Sequence, residues 1–191
     1  LPQIQGLDIA TSYKPAARAG GDYYDFFDLG DGRWGLLVAD VSGHGTPAAV
    51  VMAMLRTVLH ARCNRDAGPA VILSALNTHL IDQAPRNDGM FATAFYGIYN
   101  PSDHGLQYSS AGHNPPLCVD RAAKVCELDK AQALPLAVDR RTEFPEAATG
   151  LTPGDTLLLY TDGITEAMNP AGEAYGRERL LSCIREDVPN A

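Results

Sequence analysis

Three stretches of this chain set acidic residues among glycines and other small residues. They are Gly20-Gly21-Asp22-Tyr23-Tyr24-Asp25, Val38-Ala39-Asp40-Val41-Ser42-Gly43-His44-Gly45, and Leu158-Leu159-Tyr160-Thr161-Asp162-Gly163-Ile164-Thr165-Glu166. Asp40 and Asp162 each follow an apolar run, so each carboxylate is expected at a strand end, held rigidly while reaching out of the core. Converging strand ends of this kind repel, by ~4 kcal/mol for a pair about 4 Å apart at an effective dielectric near 20. Protons or divalent cations relieve that repulsion. Carboxylate and backbone carbonyl oxygens suit Mg²⁺ or Mn²⁺, not zinc. Two such ions would acidify a water and stabilise phosphoryl oxygens, which is the chemistry of phosphoester hydrolysis. Taken singly, an Asp beside Gly is an ordinary turn residue, and Asp103, Asp139 and Asp155 are read that way.

Other chemistries lack their residues. There is no GxxxxGK[ST] loop for phosphates, no HExxH, no GxSxG, no DxD, and no Cys followed six places later by Arg. Gly30-Asp31-Gly32-Arg33-Trp34-Gly35 satisfies GxGxxG, but a dinucleotide site needs a helix after it and a strand pattern follows instead. It is read as a hairpin turn. Cys63, Cys118, Cys126 and Cys183 form no CxxC and are read as reduced, partly buried thiols. Cys118 and Cys126 are spaced to face each other across a hairpin.

The elements that must carry these residues begin with strands over Leu7–Tyr13, Asp22–Leu29 and Trp34–Val41, the last two joined at Asp31-Gly32. Two helices follow. The first is capped by Thr46, with Pro47 at its first position and a core stripe of Met52, Met54, Leu55 and Leu59. The second opens at Pro69 and carries Leu73, Leu76 and Leu80. Asp66, Gly68 and Pro69 break the chain between them, which predicts an antiparallel pair. Strands return over Met90–Tyr99, Gly105–Ala111, Pro116–Val119, Lys124–Leu128, Thr142–Ala148 and Asp155–Thr161. In the last of these, Leu157-Leu158-Leu159 reads as a strand covered on both faces. A final helix spans Arg177–Glu186. Consecutive runs of strands predict an α+β fold with antiparallel sheets rather than alternating βαβ units.

Composition fits this reading. The 191 residues are 46% hydrophobic and 20% charged, as in an ordinary globular chain. A chain of this length buries roughly 70% of its unfolded surface, enough for one self-sufficient domain over 1–191. The net charge of −8 argues against nucleic acid and anionic membrane as partners. The longest apolar run, Ala48–Leu55, is too short to cross a bilayer, and no signal peptide is visible. These features predict a cytoplasmic protein. The start at Leu1 reads as a piece excised from a longer chain.

In order along the chain, GGDYYDFF, VADVSGHGTPAA, FATAFYG, YSSAGHNPPL, LPLAV and LLLYTDGITEAMN resemble the metal-dependent protein phosphatases, in particular the bacterial SpoIIE/RsbU-type domain, from about Tyr13 to Leu181. The resemblance implies a four-layer α-β-β-α sandwich of two antiparallel sheets flanked by helix pairs. It also implies two Mn²⁺ or Mg²⁺ ions and hydrolysis of phosphoserine or phosphothreonine. The implied substrate is a phosphorylated anti-anti-sigma (STAS-type) protein in sigma-factor signalling, with an upstream sensor or receiver domain in the same chain. Carried over by position, Asp40 looks like the carboxylate shared by both metals and Val41 a backbone-carbonyl ligand. Asp22 would bind the second metal and Asp162 the first. Asp25 and Gly163 are weaker candidates, and the alternative for Asp25 is that it only braces the turn. Gly21 and Gly43 would let backbone approach the metals. Lys14 stands where a phosphate-contacting cation would lie, and reads equally as a solvated strand lysine. His44 and His113 read as structural histidines bonded to turns. The family continues into a further helix and a strand bearing a last Asp ligand, whereas this chain stops at Pro189-Asn190-Ala191. That implies either a missing C-terminal segment or a reduced version with weak metal binding, and an unpaired sheet edge, which leaves a homodimer open. Ala137 stands where the family commonly has glycine.

Two other functions fit the same residues. One is a catalytically weak or inactive phosphatase-like binding module. The other is a hydrolase of small phosphoesters.

Overall fold

The computed structural model describes residues 1–14, 20–63, 67–83 and 89–187. In chain order the elements are β1 (Tyr23–Gly30), β2 (Arg33–Val41), α1 (Thr46–Arg62), α2 (Pro69–Gln83), β3 (Ala92–Asn100), β4 (Gly105–Ala111), β5 (Leu117–Val119), β6 (Val125–Glu127), β7 (Gln132–Ala133), β8 (Ala147–Gly150), β9 (Thr156–Leu158), α3 (Asp162–Thr165) and α4 (Gly176–Asp187). The chain is α+β and divides into two compact units, Leu1–His113 with Lys130–Gly150, and Asn114–Asp129 with Leu151–Ala191.

In the first unit β1, β2, β3 and β4 form an antiparallel run, and β4 continues to β7 in parallel and to β8 antiparallel. The GxGxxG stretch closes the β1–β2 hairpin. Asp31 (φ 53°) and Gly32 (φ 77°) both take the left-handed conformation that matches a two-residue turn to strand twist. Strand alternation sorts the side chains by face. Phe27, Leu29, Leu37, Ala39, Val41, Ala94, Tyr96 and Ile98 join one buried cluster with Val51, Leu55, Leu59, Leu73, Leu76 and Leu80 of the two helices. Asp22, Asp40 and Thr93 fall on the other face by the same alternation.

Several local expectations need correction. Leu7–Tyr13 forms no strand; the Tyr24 hydroxyl instead bonds Thr11 Oγ1 at 3.2 Å. The helix α1 is capped one residue earlier than expected, by Gly45 at φ 75°, ψ −150°, a conformation open essentially to glycine, so Thr46 is already helical. Met54 leaves the core stripe and lines a surface cavity of about 320 Å³ with Val50, Ala53, Thr57 and His79. The expected break at Asp66 lies outside the described residues. Of Thr142–Ala148 only its end is extended, as β8, and the two-residue β7 had no sequence signal.

The second unit holds a three-stranded antiparallel sheet in the order β6-β5-β9, with α3 and α4. Leu117, Tyr160 and Leu180 are buried together, with Leu158, Leu181 and Ile184 packed against them. Leu157, Leu158 and Leu159 are half-buried, not covered on both faces, because β9 is three residues long and pairs only with β5 among the described residues. Cys118 and Cys126 are directly paired across the β5–β6 hairpin, and all four cysteines are unbridged.

Candidate active site

The β1–β2 register pairs Tyr23 with Ala39 and Tyr24 with Val38. Continued by one residue, it sets Asp22 opposite Asp40, and by two, Gly21 opposite Val41. The Val41 amide donates to the Gly21 carbonyl at 3.3 Å, which fixes that continuation. Asp22 and Asp40 therefore occupy the neighbouring non-hydrogen-bonded position, where Cα atoms approach to about 4.5 Å and side chains share a face. Two carboxylates so placed repel, and positive charge between them removes the penalty.

Gly21 closes the same corner. A Cβ built there would lie 2.5 Å from the Val41 carbonyl oxygen and 3.1 Å from Val41 Cβ. Only glycine lets the two backbones approach so closely. The result is a cradle of two carboxylates and one backbone carbonyl at one end of the sheet. This all-oxygen donor set fits a hard divalent cation. No group of three or more His, Cys, Asp or Glu side chains gathers among the described residues.

Asp40 also pairs across the sheet with Thr93 of β3. The row on this face thus runs Asp22, Asp40, Thr93. Thr93 Oγ1 lies 2.7 Å from Nδ1 of His113, a buried residue whose carbonyl accepts from Gln132 Nε2 at 3.1 Å. His113 thus bonds a strand threonine beside Asp40, and not a turn as expected. The alternation within Phe91-Ala92-Thr93-Ala94-Phe95 held the signal for Thr93, but its neighbour across the sheet needed the register.

Asp25 does not join this row. It lies on the helix-facing side of β1. There its carboxylate accepts from the Tyr23 hydroxyl, from the Phe26 amide at 2.8 Å, and lies 2.9 Å from His60 Nε2 of α1. Burial works to raise the Asp25 pKa, but the Tyr23 hydroxyl, the Phe26 amide and His60 outweigh it, and the net shift is downward. Burial and the Asp25 carboxylate push the Tyr23 hydroxyl upward. Asp25 thus braces α1 on β1.

Lys14 is exposed and follows Tyr13, whose hydroxyl donates to the Asp22 carbonyl at 3.3 Å. Gly43 has φ 88° in the loop from β2 to α1, and His44 beside it is exposed. Asp162 belongs to the second unit, exposed at the first position of α3. Its carbonyl accepts from the Glu166 amide at 2.7 Å and from Thr165 Oγ1 at 3.1 Å. Gly163 follows it, with ample room for a Cβ. Asp103, Asp139 and Asp155 each bond nearby backbone amides, as turn residues do.

A second polar element supports the end of the sheet. Leu136 and Ala92 exchange both backbone bonds, at 3.2 and 2.8 Å, and Ala92 pairs with Val41. The next residue, Ala137, holds φ 70°. Buried Asn77 of α2 fastens it, accepting from the Ala137 amide at 2.8 Å and donating to the Asp139 carbonyl at 2.9 Å. Neither the helix residue nor its role showed in the sequence, since an Asn within an apolar helix pattern carries no partner with it.

Comparison with known proteins agrees with this architecture. The chain is 31% identical over 197 residues to the phosphoserine phosphatase RsbU of Bacillus subtilis, spanning 100% of this chain and 58% of that protein. It is 29% identical to protein IcfG of Synechocystis, spanning 96% of this chain and 33% of that one. The chain thus covers between one third and three fifths of these relatives. The RsbU and RsbW domains of a Mycobacterium tuberculosis protein superpose with a TM-score of 0.77 at 33% identity, over 91% of this chain and 47% of that one. The SiaA-PP2C domain of Pseudomonas aeruginosa also gives 0.77, at 23% identity, over 92% and 70%, a likeness of fold alone. The fold is therefore that of the PP2C phosphatase domains. The sequence model of stage II sporulation protein E matches residues 30–190, and with the carboxylate row lying on the strands it covers or adjoins, this chain belongs to the SpoIIE family.

Proposed function

We propose that the chain is a metal-dependent protein serine/threonine phosphatase domain. The observation that carries this reading is the Gly21–Val41 approach, which sets Asp22 and Asp40 side by side next to a backbone carbonyl. A relative bearing the name phosphoserine phosphatase supports it. Asp22, Asp40 and the Val41 carbonyl would hold the cation, Mn²⁺ or Mg²⁺. A divalent cation held there supplies charge against phosphoryl oxygens and makes water more acidic. The protein's own part is to preorganise the oxygens: strand pairing fixes Asp22 and Asp40, and Thr93 with His113 borders Asp40. Lys14 is the candidate contact for the substrate phosphate. The substrate we infer is a phosphorylated STAS-type protein in sigma-factor regulation, with a sensor or receiver domain upstream.

The test is hydrolysis of p-nitrophenyl phosphate with Mn²⁺, with and without EDTA, on the chain and on Asp40→Ala. We expect Mn²⁺-dependent turnover that EDTA abolishes and that Asp40→Ala lowers by about 10²–10³-fold or more. Wild-type turnover in Asp40→Ala would remove the site assignment. A phosphorylated STAS protein assayed beside a nucleotide panel then separates a protein phosphatase from a hydrolase of small phosphoesters.

A further inference from the structure

The second unit carries two thiols that the proposed reaction does not use. Cys118 of β5 and Cys126 of β6 are directly opposite in an antiparallel pair, so they share a face of the sheet. Backbone bonds on both sides fix this register: the Leu128 amide to the Pro116 carbonyl at 3.0 Å, and the Asp120 amide to the Lys124 carbonyl at 3.1 Å. By alternation Cys118 and Cys126 stand at a hydrogen-bonded position, where Cα atoms lie about 5.5 Å apart. That spacing is inside the window a disulfide spans, roughly 4.4–6.8 Å. The hairpin turn is itself pinned, since Asp120 Oδ1 accepts from the Ala122 and Lys124 amides at 2.8 and 2.9 Å. The two thiols are therefore held together by the fold and do not meet by chance.

They also differ in access. Cys126 is exposed and Cys118 half-buried. Burial, with Asp155, Cys126 and Asp120 nearby, pushes the Cys118 thiol up. Cys63, the other half-buried thiol, is pushed up to about 11 by burial and sits beside the Tyr96 hydroxyl, a position suited to packing.

We propose that Cys118 and Cys126 form a reversible cross-strand disulfide by exchange with a low-molecular-weight disulfide such as oxidised glutathione. The exposed Cys126 gives its proton to solvent and attacks one sulfur of the small disulfide, releasing one small thiol that takes up a proton. Cys118 then loses its proton and attacks Cys126 Sγ of the mixed disulfide, releasing the second small thiol. Two protein thiols become one disulfide, and one small disulfide becomes two small thiols. The hydrogen-bonded position holds Cβ atoms wider than a relaxed disulfide prefers, so the bond is strained and easily reduced. Its place is on the central strand of a sheet whose next strand, β9, leads to Tyr160 and Asp162.

The experiment incubates the native chain in glutathione buffers of increasing oxidised fraction. Remaining thiols are alkylated, and peptides are mapped by mass spectrometry. We expect a peptide pair joined through Cys118 and Cys126, with the likewise exposed Cys183 carrying at most a mixed disulfide with glutathione, and full return of the thiols in reduced glutathione. Cys118→Ser should stop at a mixed disulfide on Cys126, while a Cys63→Ser, Cys183→Ser double variant should oxidise like the wild type. Four titratable thiols throughout, a mixed disulfide on Cys126 that never resolves in the wild type, or links mainly through Cys63 or Cys183 would each overturn the proposal. Phosphatase assays do not enter this readout, so it stands or falls apart from the proposed activity.

Discussion

Gly21 is the residue on which the cradle turns. Any larger side chain there meets the Val41 carbonyl oxygen at 2.5 Å, and backbone, not a flexible tip, would have to yield. Gly21→Ala is therefore expected to part the ends of β1 and β2, at a cost of about 1–3 kcal/mol. It should also weaken Mn²⁺ binding more than it lowers turnover at saturating metal. Isothermal titration with Mn²⁺, beside urea unfolding, measures both. Asp25 acts at the same scale but toward α1. Its folded-state pKa lies below its unfolded value, so its bonds to Tyr23, Phe26 and His60 add stability above the usual carboxylate range. That stability is lost as pH falls through the folded value. Asp25→Asn should therefore be less stable than wild type near neutrality, with the difference shrinking in acid. Urea midpoints from pH 7 down to pH 3 check this, and a constant difference across that range would contradict it.

Among the elements, α2 and the Leu136–Asp139 loop form the support for β3. Ala137 pays for a left-handed backbone that costs an L-residue roughly 1–2 kcal/mol. Ala137→Gly removes that strain but gains unfolded-state entropy, so a net rise of about 0.5–1 kcal/mol is expected. It should appear as a thermal midpoint higher by about 1–4 °C. Asn77→Ala works the opposite way. It leaves the half-buried Ala137 amide without its partner, while the Asp139 carbonyl keeps the Thr142 amide and hydroxyl, and should cost about 1–3 kcal/mol by the same measurement. In the double variant Ala137→Gly should recover only the strain, since the lost hydrogen bonds remain lost.

For the whole molecule, a cation that binds the folded chain alone must stabilise it. At a free concentration near 100 times its Kd the gain is about 2.7 kcal/mol. Differential scanning calorimetry should then show Mn²⁺ raising the thermal midpoint by about 5–10 °C, with EDTA reversing the rise. In Asp40→Asn the shift should be largely absent. A Mn²⁺ shift of the same size in that variant would place the binding elsewhere.

The linear chain already determined much of this. Asp31-Gly32 closes its hairpin because both residues tolerate positive φ, and the apolar spacing of α1 and α2 gave their buried faces. Small neighbours and apolar runs marked Asp22, Asp40 and Asp162 as candidates. Local signals failed where pairing decides. Thr142–Ala148 has strand composition, yet only its end finds a partner along β4, and Leu7–Tyr13 finds none among the described residues. Gly45 outbids Thr46 as the cap because of its backbone angles, which composition does not encode. Only the tertiary structure put Asp22 opposite Asp40, Thr93 beside them and Asp25 on the far face. A one-residue step along a strand reverses the face of a side chain, and the register that fixes each step comes from backbone hydrogen bonds to residues distant in sequence.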